Sequence, residues 1–510
     1  MSTETKDGEK YFGYGGDFGD SPNDSTFVMD GLCDSLHNPG PGLSEYSQAI
    51  QPVQVLGMQG LEITIVNRHD FLTLDHLKCT WDIVSDRNQI IGHDVHIPRG
   101  VKPHTQATLV LGGGVPIGTL AADNAFLELE FRQESATSWA PMGHTVARAQ
   151  VPLRPPASLT TIKSLSHKAI IPSHPASLPN TTAAATDSSA VGSDTFPRVE
   201  LRDEGRLYAV TISNGTTFGF DTGSGALAHL THADAPDKNL ITQPPKLDFY
   251  RALTDNDKGG PFGPEWRERR VHQTRQHFLR MTTSTSSETE TGNGGGDDGA
   301  TVTVTVQSRV APPALAWAVD ATTTYTFTAT YCSVRIQARP SGALLPTTFA
   351  RFGLTLGLRD VRIVEWFGRG PQESYCDKKT AQLFNTWGFP VDSPVLQPSY
   401  EVPQDSGNRT DVRWVELRSD WGGTGDEESR LLRARFGDHE GASFSVSRFS
   451  AKDIDECGHP YELQKRKRED CLIRLNWYHH GLGTGSCGPA TLPQYQLRTD
   501  REFDVELLLG

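Results

Sequence analysis

Thr301-Val-Thr-Val-Thr-Val-Gln307, Thr324-Tyr-Thr-Phe-Thr-Ala-Thr-Tyr331 and Cys332-Ser-Val-Arg-Ile-Gln337 decide the fold, because in each of them every second side chain is apolar or aromatic. A strand turns successive side chains to opposite faces, so this period of two predicts half-buried β-strands. Working outward, 207–212 (LYAVTI), 350–358 (ARFGLTLGL), 442–449 (ASFSVSRF), 472–478 (LIRLNWY) and 502–509 (EFDVELLL) read the same way. No helical runs separate them, which argues for antiparallel β rather than βαβ. Residues 198–510 therefore form one large β-domain. Its low-complexity stretch near 283–301, TSTSSETETGNGGGDDGAT, reads as a disordered loop between two strands.

Toward the N-terminus, 153–197 is rich in Ser, Thr, Ala and Pro and reads as a flexible linker. Before it, 51–152 alternates again in 61–67 (LEITIVN), 77–84 (LKCTWDIV), 126–131 (FLELEF) and 144–151 (HTVARAQV), with turns such as Gly112-Gly113-Gly114 between. About 100 residues of this kind predict a small antiparallel sandwich. Residues 1–50 hold a turn-rich loop, 13–24 (GYGGDFGDSPND), and one helix candidate, 43–50, ended by Pro52. Leu43, Tyr46 and Ile50 share one face of that helix, and a single helix and a loop cannot bury a core, so this strip wants a partner.

The 510 residues carry a formal net charge of -14 with 22% charged residues. That balance opposes a nucleic-acid surface. The basic run Lys465–Arg468 is followed at once by Glu469 and Asp470 and reads as a solvated turn. The polar start is no signal peptide, and no apolar run approaches the roughly 20 residues that span a bilayer. The seven cysteines are scattered and odd in number, so free thiols in a reducing, cytoplasmic compartment are expected.

Several motifs imitate chemistry. Phe218-Gly-Phe-Asp-Thr-Gly-Ser224 looks like one loop of an aspartic protease, but the dyad needs a second, and Asp405-Ser-Gly407 lacks the apolar residues before it; a hairpin turn explains it equally well. Gly481–Gly488 looks like a nucleotide loop, but Pro489 follows and no helix opens there. Cys457, His459, Cys471, His479, His480 and Cys487 fit no zinc spacing. Trp366, Trp387, Trp414, Trp421 and Trp477 beside Gly-rich turns suit sugar stacking or core packing. Glu45, Asp17, Asp20, Asp24, Asp30, Glu373, Asp377 and Asp405 lie in site-like loops or on the helix candidate, with turn chemistry as the plainer reading.

Tyr14–Gly31 and the following Pro-Gly-Leu-Ser-Glu-Tyr46 resemble the end of the catalytic barrel of glycoside hydrolase family 2 β-galactosidases. Leu253–Gly259, Trp366–Tyr375 and Gly481–Cys487 resemble loops of that family's large C-terminal sandwich, in the same order. The resemblance implies a mainly β chain: a short remnant of a TIM barrel over 1–50, an immunoglobulin-like β-sandwich over 51–152, and a large antiparallel β super-sandwich, galactose-mutarotase-like, over 198–510. It implies retaining hydrolysis of terminal β-galactosides such as lactose, by a Glu pair. Sodium and magnesium assist in the family. The resemblance places Phe27, by its carbonyl, and Asp30 at a partial sodium site, Asp24 in the same loop as a substrate-binding residue, and Asp255, Asn256, Asp257 and Gly259 on a mobile loop at the site's edge. It places Cys487 against the substrate, as in yeast-type members. The Glu pair and the magnesium ligands have no counterpart in this chain, so no catalytic residue is assigned. The chain is then a fragment, half of an enzyme completed by a second chain, or a non-catalytic descendant. A carbohydrate-binding or assembly subunit and an aldose mutarotase-like protein stay open as alternatives. A galactoside, the missing N-terminal half or a complementing chain, and further copies of the chain are the expected partners, without nucleic acid or membrane.

Overall fold

The computed structural model describes residues 2–29, 31–86, 89–112, 124–153, 158–168, 197–202, 205–286, 301–420 and 430–510. Among them β-strands dominate, and every ladder is antiparallel. Among the described residues no helix is long and apolar enough to cross a membrane.

The small sandwich has two sheets. Val53–Gln59, Glu62–Asn67 and Gln106–Val110 make one; Gln89–Val95, Leu77–Val84, Phe126–Gln133 and Thr145–Pro152, in that order, make the other. Ile63 and Ile65 of the first meet Cys79, Trp81, Leu127, Leu129 and Phe131 of the second in one core. The alternating side chains of each strand supply one face each, and burying both faces at once is what holds the sheets together.

The large domain is built from a four-stranded, a five-stranded and a nine-stranded sheet around a continuous core. Thr301–Ala311, Trp317–Phe327 and Cys332–Gly342 lie side by side in the nine-stranded sheet, sending Val302, Val304, Val306, Tyr325, Phe327, Val334 and Ile336 inward. The five-stranded sheet runs Ile241–Asp248, Arg351–Leu358, Cys471–His479, Ser443–Ser447, Arg409–Thr410. Every residue of Arg351–Leu358 is buried. A Cβ at Gly353 would run into Asn476, so glycine is what lets this strand and its neighbour approach.

That sheet also carries a buried polar layer. The Arg351 guanidinium donates to Asn476 Oδ1 (2.6 Å), Asp248 Oδ2 (2.6 Å) and the Tyr250 carbonyl (2.8 Å). Arg351's charge holds the Asp248 carboxyl at about 2, against the burial that would raise it. Buried charge survives here because each group is paired and hydrogen-bonded.

Three sequence expectations need correction. The linker is not featureless: Leu159–Lys168 is a helix, started by Ser158, whose Oγ accepts from Thr161 N (3.2 Å). Leu159 packs on Gly437 and Lys163 pairs with Glu506 (2.5 Å), so the large domain holds this helix. The rest of the linker, 154–157 and 169–196, lies outside the described residues. The low-complexity insert is narrower than its composition suggests, because strand Arg275–Ser286 runs into it and its neighbour begins at Thr301, the two pairing without a break from Arg280 to Ser286; 287–300 lies outside the described residues. Nor is the large domain free of helix. Asp255–Gly259 and Ala451–Asp455 begin with reciprocal capping boxes, Thr254 with Asp257 and Ser450 with Asp453.

The N-terminal strip docks on the large domain. Glu45, on helix Pro41–Ile50, accepts from Thr380 N (2.9 Å), Thr380 Oγ1 (2.5 Å) and Ala381 N (2.9 Å). Ser35 N donates to Glu401 (2.8 Å) and Ser44 Oγ to Gln372 (3.0 Å). Its apolar side stays bare: Phe27, Val28, Leu32, Leu36, Tyr46 and Ile50 are all exposed. The strip that wanted a partner has one on its polar side only.

Candidate functional site

The large domain presents two loops that fit together. Thr254 caps the short helix Asp255–Gly259, its Oγ1 accepting from Asp257 N (3.2 Å). Asp257 turns inward and takes Arg251 in a fork, 2.7 Å and 3.1 Å, while also accepting from Thr254 N and Oγ1 at 2.9 Å each. Burial disfavours the Arg251 charge, but the Asp257 carboxylate, with Asp405 and Asp377 beyond it, more than offsets this and pushes the guanidinium pKa up. The same guanidinium donates to the Gly481 carbonyl (3.3 Å), the first residue of the second loop.

Asn256 turns outward and makes the second link. Its Nδ2 donates to Gly483 O (2.9 Å), and its Oδ1 accepts from Ser486 N (3.2 Å) and Ser486 Oγ (2.6 Å). From the other side, Asp377 accepts from Leu482 N (3.0 Å) and Gly483 N (2.8 Å). Gly483 sits at φ +63, the left-handed region that glycine occupies without strain. A Cβ on Gly259 would stand 2.7 Å from Gly485 O, so the contact between the loops is backbone on backbone. Cys487 lies exposed at the end of the second loop.

The N-terminal strip borders this pair of loops. Asp17 accepts from Tyr14 N (2.9 Å) and stands 3.0 Å from His459 Nε2, while the Tyr14 hydroxyl donates to Gly458 O (2.8 Å). Burial, then the charges of Asp17, Glu462 and Asp255, push the Tyr14 phenol up to about 12. Asp255 itself is held by its N–H on Gln404 Oε1 (3.2 Å) and pairs with Lys258 (3.1 Å).

Asp255, Asn256, Asp257, Gly259 and Cys487 thus belong to one surface, as short helix and packed loop rather than one free loop. Asp257 is its buried anchor. Asp24 and Phe27 lie in the strip, at the turn Ser25–Met29; the Asp24 side chain and Phe27 are exposed. Among the described residues no hydrogen bond joins Asp24 or Phe27 to Asp255–Gly259 or Cys487. Asp30 and Trp421 lie outside the described residues. A main-chain carbonyl such as that of Phe27 and a carboxylate are both hard oxygen donors, the type sodium takes. No cluster of three His, Cys, Asp or Glu that could hold a metal occurs among the described residues.

Other sequence candidates resolve into structure. Asp221 accepts from Ser224 N and Oγ (2.7 Å each), a hairpin turn. Trp366 and Trp477 are fully buried in the core, so packing explains them. Glu373 is buried and accepts from Lys378, Tyr400 and Gly407 N at 3.0, 2.7 and 2.9 Å. Arg251 and Gln404 escaped the sequence reading; the capping pattern Thr254-x-x-Asp257 was the available signal for the turn they support.

Models of known families match most of this chain, in three stretches. The model "Beta galactosidase small chain" matches residues 212–509, more than half of the chain. "Beta-galactosidase, domain 4" matches 63–154, and "Glycosyl hydrolases family 2, TIM barrel domain" matches 1–55. The chain belongs to the glycoside hydrolase family 2 β-galactosidases and corresponds to their C-terminal portion.

Among individual proteins, it is 27% identical over 509 residues to a β-galactosidase of Kluyveromyces lactis, covering 99% of this chain and 42% of that one. It is 28% identical over 514 residues to a β-galactosidase of an Arthrobacter species, covering 98% of this chain and 45% of that one. The chain thus spans less than half the length of these relatives. A galactose mutarotase related enzyme from Lactobacillus acidophilus overlaps 60% of this chain and 96% of its own, at 8% identity and a TM-score of 0.31, too low to carry an argument.

Proposed function

We propose that this chain is the C-terminal portion of a retaining β-galactosidase that cleaves terminal β-D-galactose from β-galactosides such as lactose. What carries the reading is the bare apolar side of a strip matched to the family's barrel: Phe27, Leu36, Tyr46 and Ile50 are exposed while the opposite side is hydrogen-bonded down. The remainder of a barrel, from a longer chain or a second one, covers that side and brings the two Glu residues. In that assembly the surface formed by Asp255–Gly259 and Gly481–Cys487 borders the galactose, with Cys487 against the sugar. Phe27 O and Asp30 supply oxygen ligands to sodium, and magnesium is held by the other portion. The assembled enzyme works in the cytoplasm as a homo-oligomer; all seven cysteines being free supports the compartment.

The test is hydrolysis of a nitrophenyl β-galactoside. The pure 510-residue chain should show no turnover, and adding the N-terminal portion of the Kluyveromyces lactis relative should restore it, with β-galactose as the first anomer seen by NMR. Turnover by the chain alone, or α-galactose as first product, overturns the proposal.

A further inference from the structure

Beside the loop surface lies a cavity of about 170 Å³. Loop 396–406 forms one wall, and Phe449 with the helices Ala451–Asp455 and Pro460–Gln464 forms the other. Leu396, Pro403, Phe449 and Leu463 make much of this lining apolar.

Two charged groups in the lining have hydrogen-bonding capacity left over. Asp405 Oδ2 accepts from the Tyr375 hydroxyl (2.9 Å), and among the described residues nothing bonds its other oxygen. Burial raises the Asp405 pKa, with the charges of Arg251 and Arg474 pulling the other way. Arg474 is buried, and among the described residues its only side-chain bond is from Nη2 to Phe449 O (3.0 Å). No ion pair closes between the two. Gln404 adds an amide Nε2 that donates to nothing among the described residues. Arg474 is buried while Asp405 and Gln404 are half-buried, so these groups stand open to the cavity, and open polar groups that converge on one cavity suit a ligand that completes them.

The chemistry narrows that ligand. An anion on Arg474 would face the Asp405 carboxylate, and a cation on Asp405 would face Arg474. A neutral molecule with adjacent hydroxyls donates to the first and accepts from the second, and its C–H faces suit the apolar walls. The cavity is below the roughly 300 Å³ at which drug-sized sites begin, so one ring fits and a chain of rings does not.

Both walls also grip the segment that enters the helix Asp255–Gly259. Gln404 Oε1 accepts from Asp255 N (3.2 Å). On the other side Ile454 lines the cavity, and the next residue, Asp455, accepts from Leu253 N (3.0 Å) and the Tyr250 hydroxyl (2.9 Å). We propose that this cavity binds one neutral polyhydroxylated molecule the size of a single pyranose ring, seated on Asp405 and Arg474, and that its occupancy tightens Leu253–Gly259. The site is separate from Cys487 and needs no catalysis, so it stands or falls apart from the proposed reaction.

Saturation-transfer NMR on the full chain tests it, with D-galactose, D-glucose and myo-inositol as probes. We expect transfer to at least one probe, abolished by Asp405→Asn and by Leu463→Trp, which fills the cavity from its outer wall, and unchanged in Cys487→Ser. If Asp405→Asn does not fold, Leu463→Trp alone decides. At a probe concentration about three times Kd, the Leu253 and Asp255 amides should exchange about fourfold more slowly. The proposal is overturned if no probe binds, if binding survives Leu463→Trp, if Cys487→Ser abolishes it, if inorganic phosphate displaces the probe, or if those amides exchange unchanged.

Discussion

Replacing Asp257 with Ala should loosen the whole loop surface, because Arg251 ties both loops through it. In the native fold Arg251 is fully buried and its charge is answered by the two Asp257 oxygens. The substitution leaves that charge buried and unpaired and also removes the carboxylate half of the capping box of the helix Asp255–Gly259, while Thr254 Oγ1 keeps its bond from the backbone N of residue 257. Breaking a buried pair from one side costs about 3–5 kcal/mol, and the lost half of the capping box adds at most about 1 kcal/mol, the two overlapping because one carboxylate does both jobs. A local loss of about 4 kcal/mol corresponds to roughly a thousandfold faster opening of the helix. Native-state hydrogen exchange measures it directly: the amides of Lys258 and Gly260, bonded to Thr254 O (3.0 Å) and Asn256 O (2.9 Å), should lose most of their protection. The double variant Arg251→Met/Asp257→Leu should recover most of the loss, since an apolar pair of similar size leaves no buried charge unanswered. Less than about tenfold faster exchange in Asp257→Ala, or a double variant as unprotected as the single one, would refute the account of Arg251 as the tie.

Gly259→Ala places a Cβ 2.7 Å from Gly485 O and 2.8 Å from Ser486 Cα, both backbone, so the loops must part; we expect about 1–3 kcal/mol of destabilisation and faster alkylation of Cys487. Unchanged alkylation would mean the contact is not needed to hold the loop. Under native conditions a thiol reagent should modify Cys33 and Cys487 rapidly and the buried Cys79, Cys332, Cys457 and Cys471 slowly, since burial pushes the thiols of Cys79 and Cys471 up to about 12. Rapid loss of more than two thiols would contradict the burial pattern. His480 is buried, and burial together with the Arg251 charge lowers its pKa to about 3. Between about 3 and 6.5 the unfolded chain binds a proton there that the fold refuses, so stability should rise with pH across that window and level off above it, by at most roughly 5 kcal/mol. Urea midpoints at pH 5 and 7.5 should differ less in His480→Gln than in the wild type; an equal difference would assign the slope to other groups.

The alternating strands were legible in the sequence because a half-buried strand writes its burial into every second residue. Val302, Val304 and Val306 point inward as their spacing says. The family was legible as well, since its loop motifs are long and ordered, and the hairpin at Asp221 and the failure of Gly481–Gly488 to open a helix followed from turn chemistry. Composition was a poorer guide. It labelled Leu159–Lys168 a linker because the helix has few large apolar residues, and the contacts that hold it, Leu159 on Gly437 and Lys163 on Glu506, come from residues hundreds of positions away. The tryptophans suited sugar and core equally until the core closed over Trp366 and Trp477. Only the tertiary structure decided that Asp257 faces in and Asn256 faces out, that Arg251 joins two loops 230 residues apart, and that Asp405 and Arg474 share one cavity. Charge pairing and burial are properties of neighbours in space, and a sequence orders its residues only along the chain.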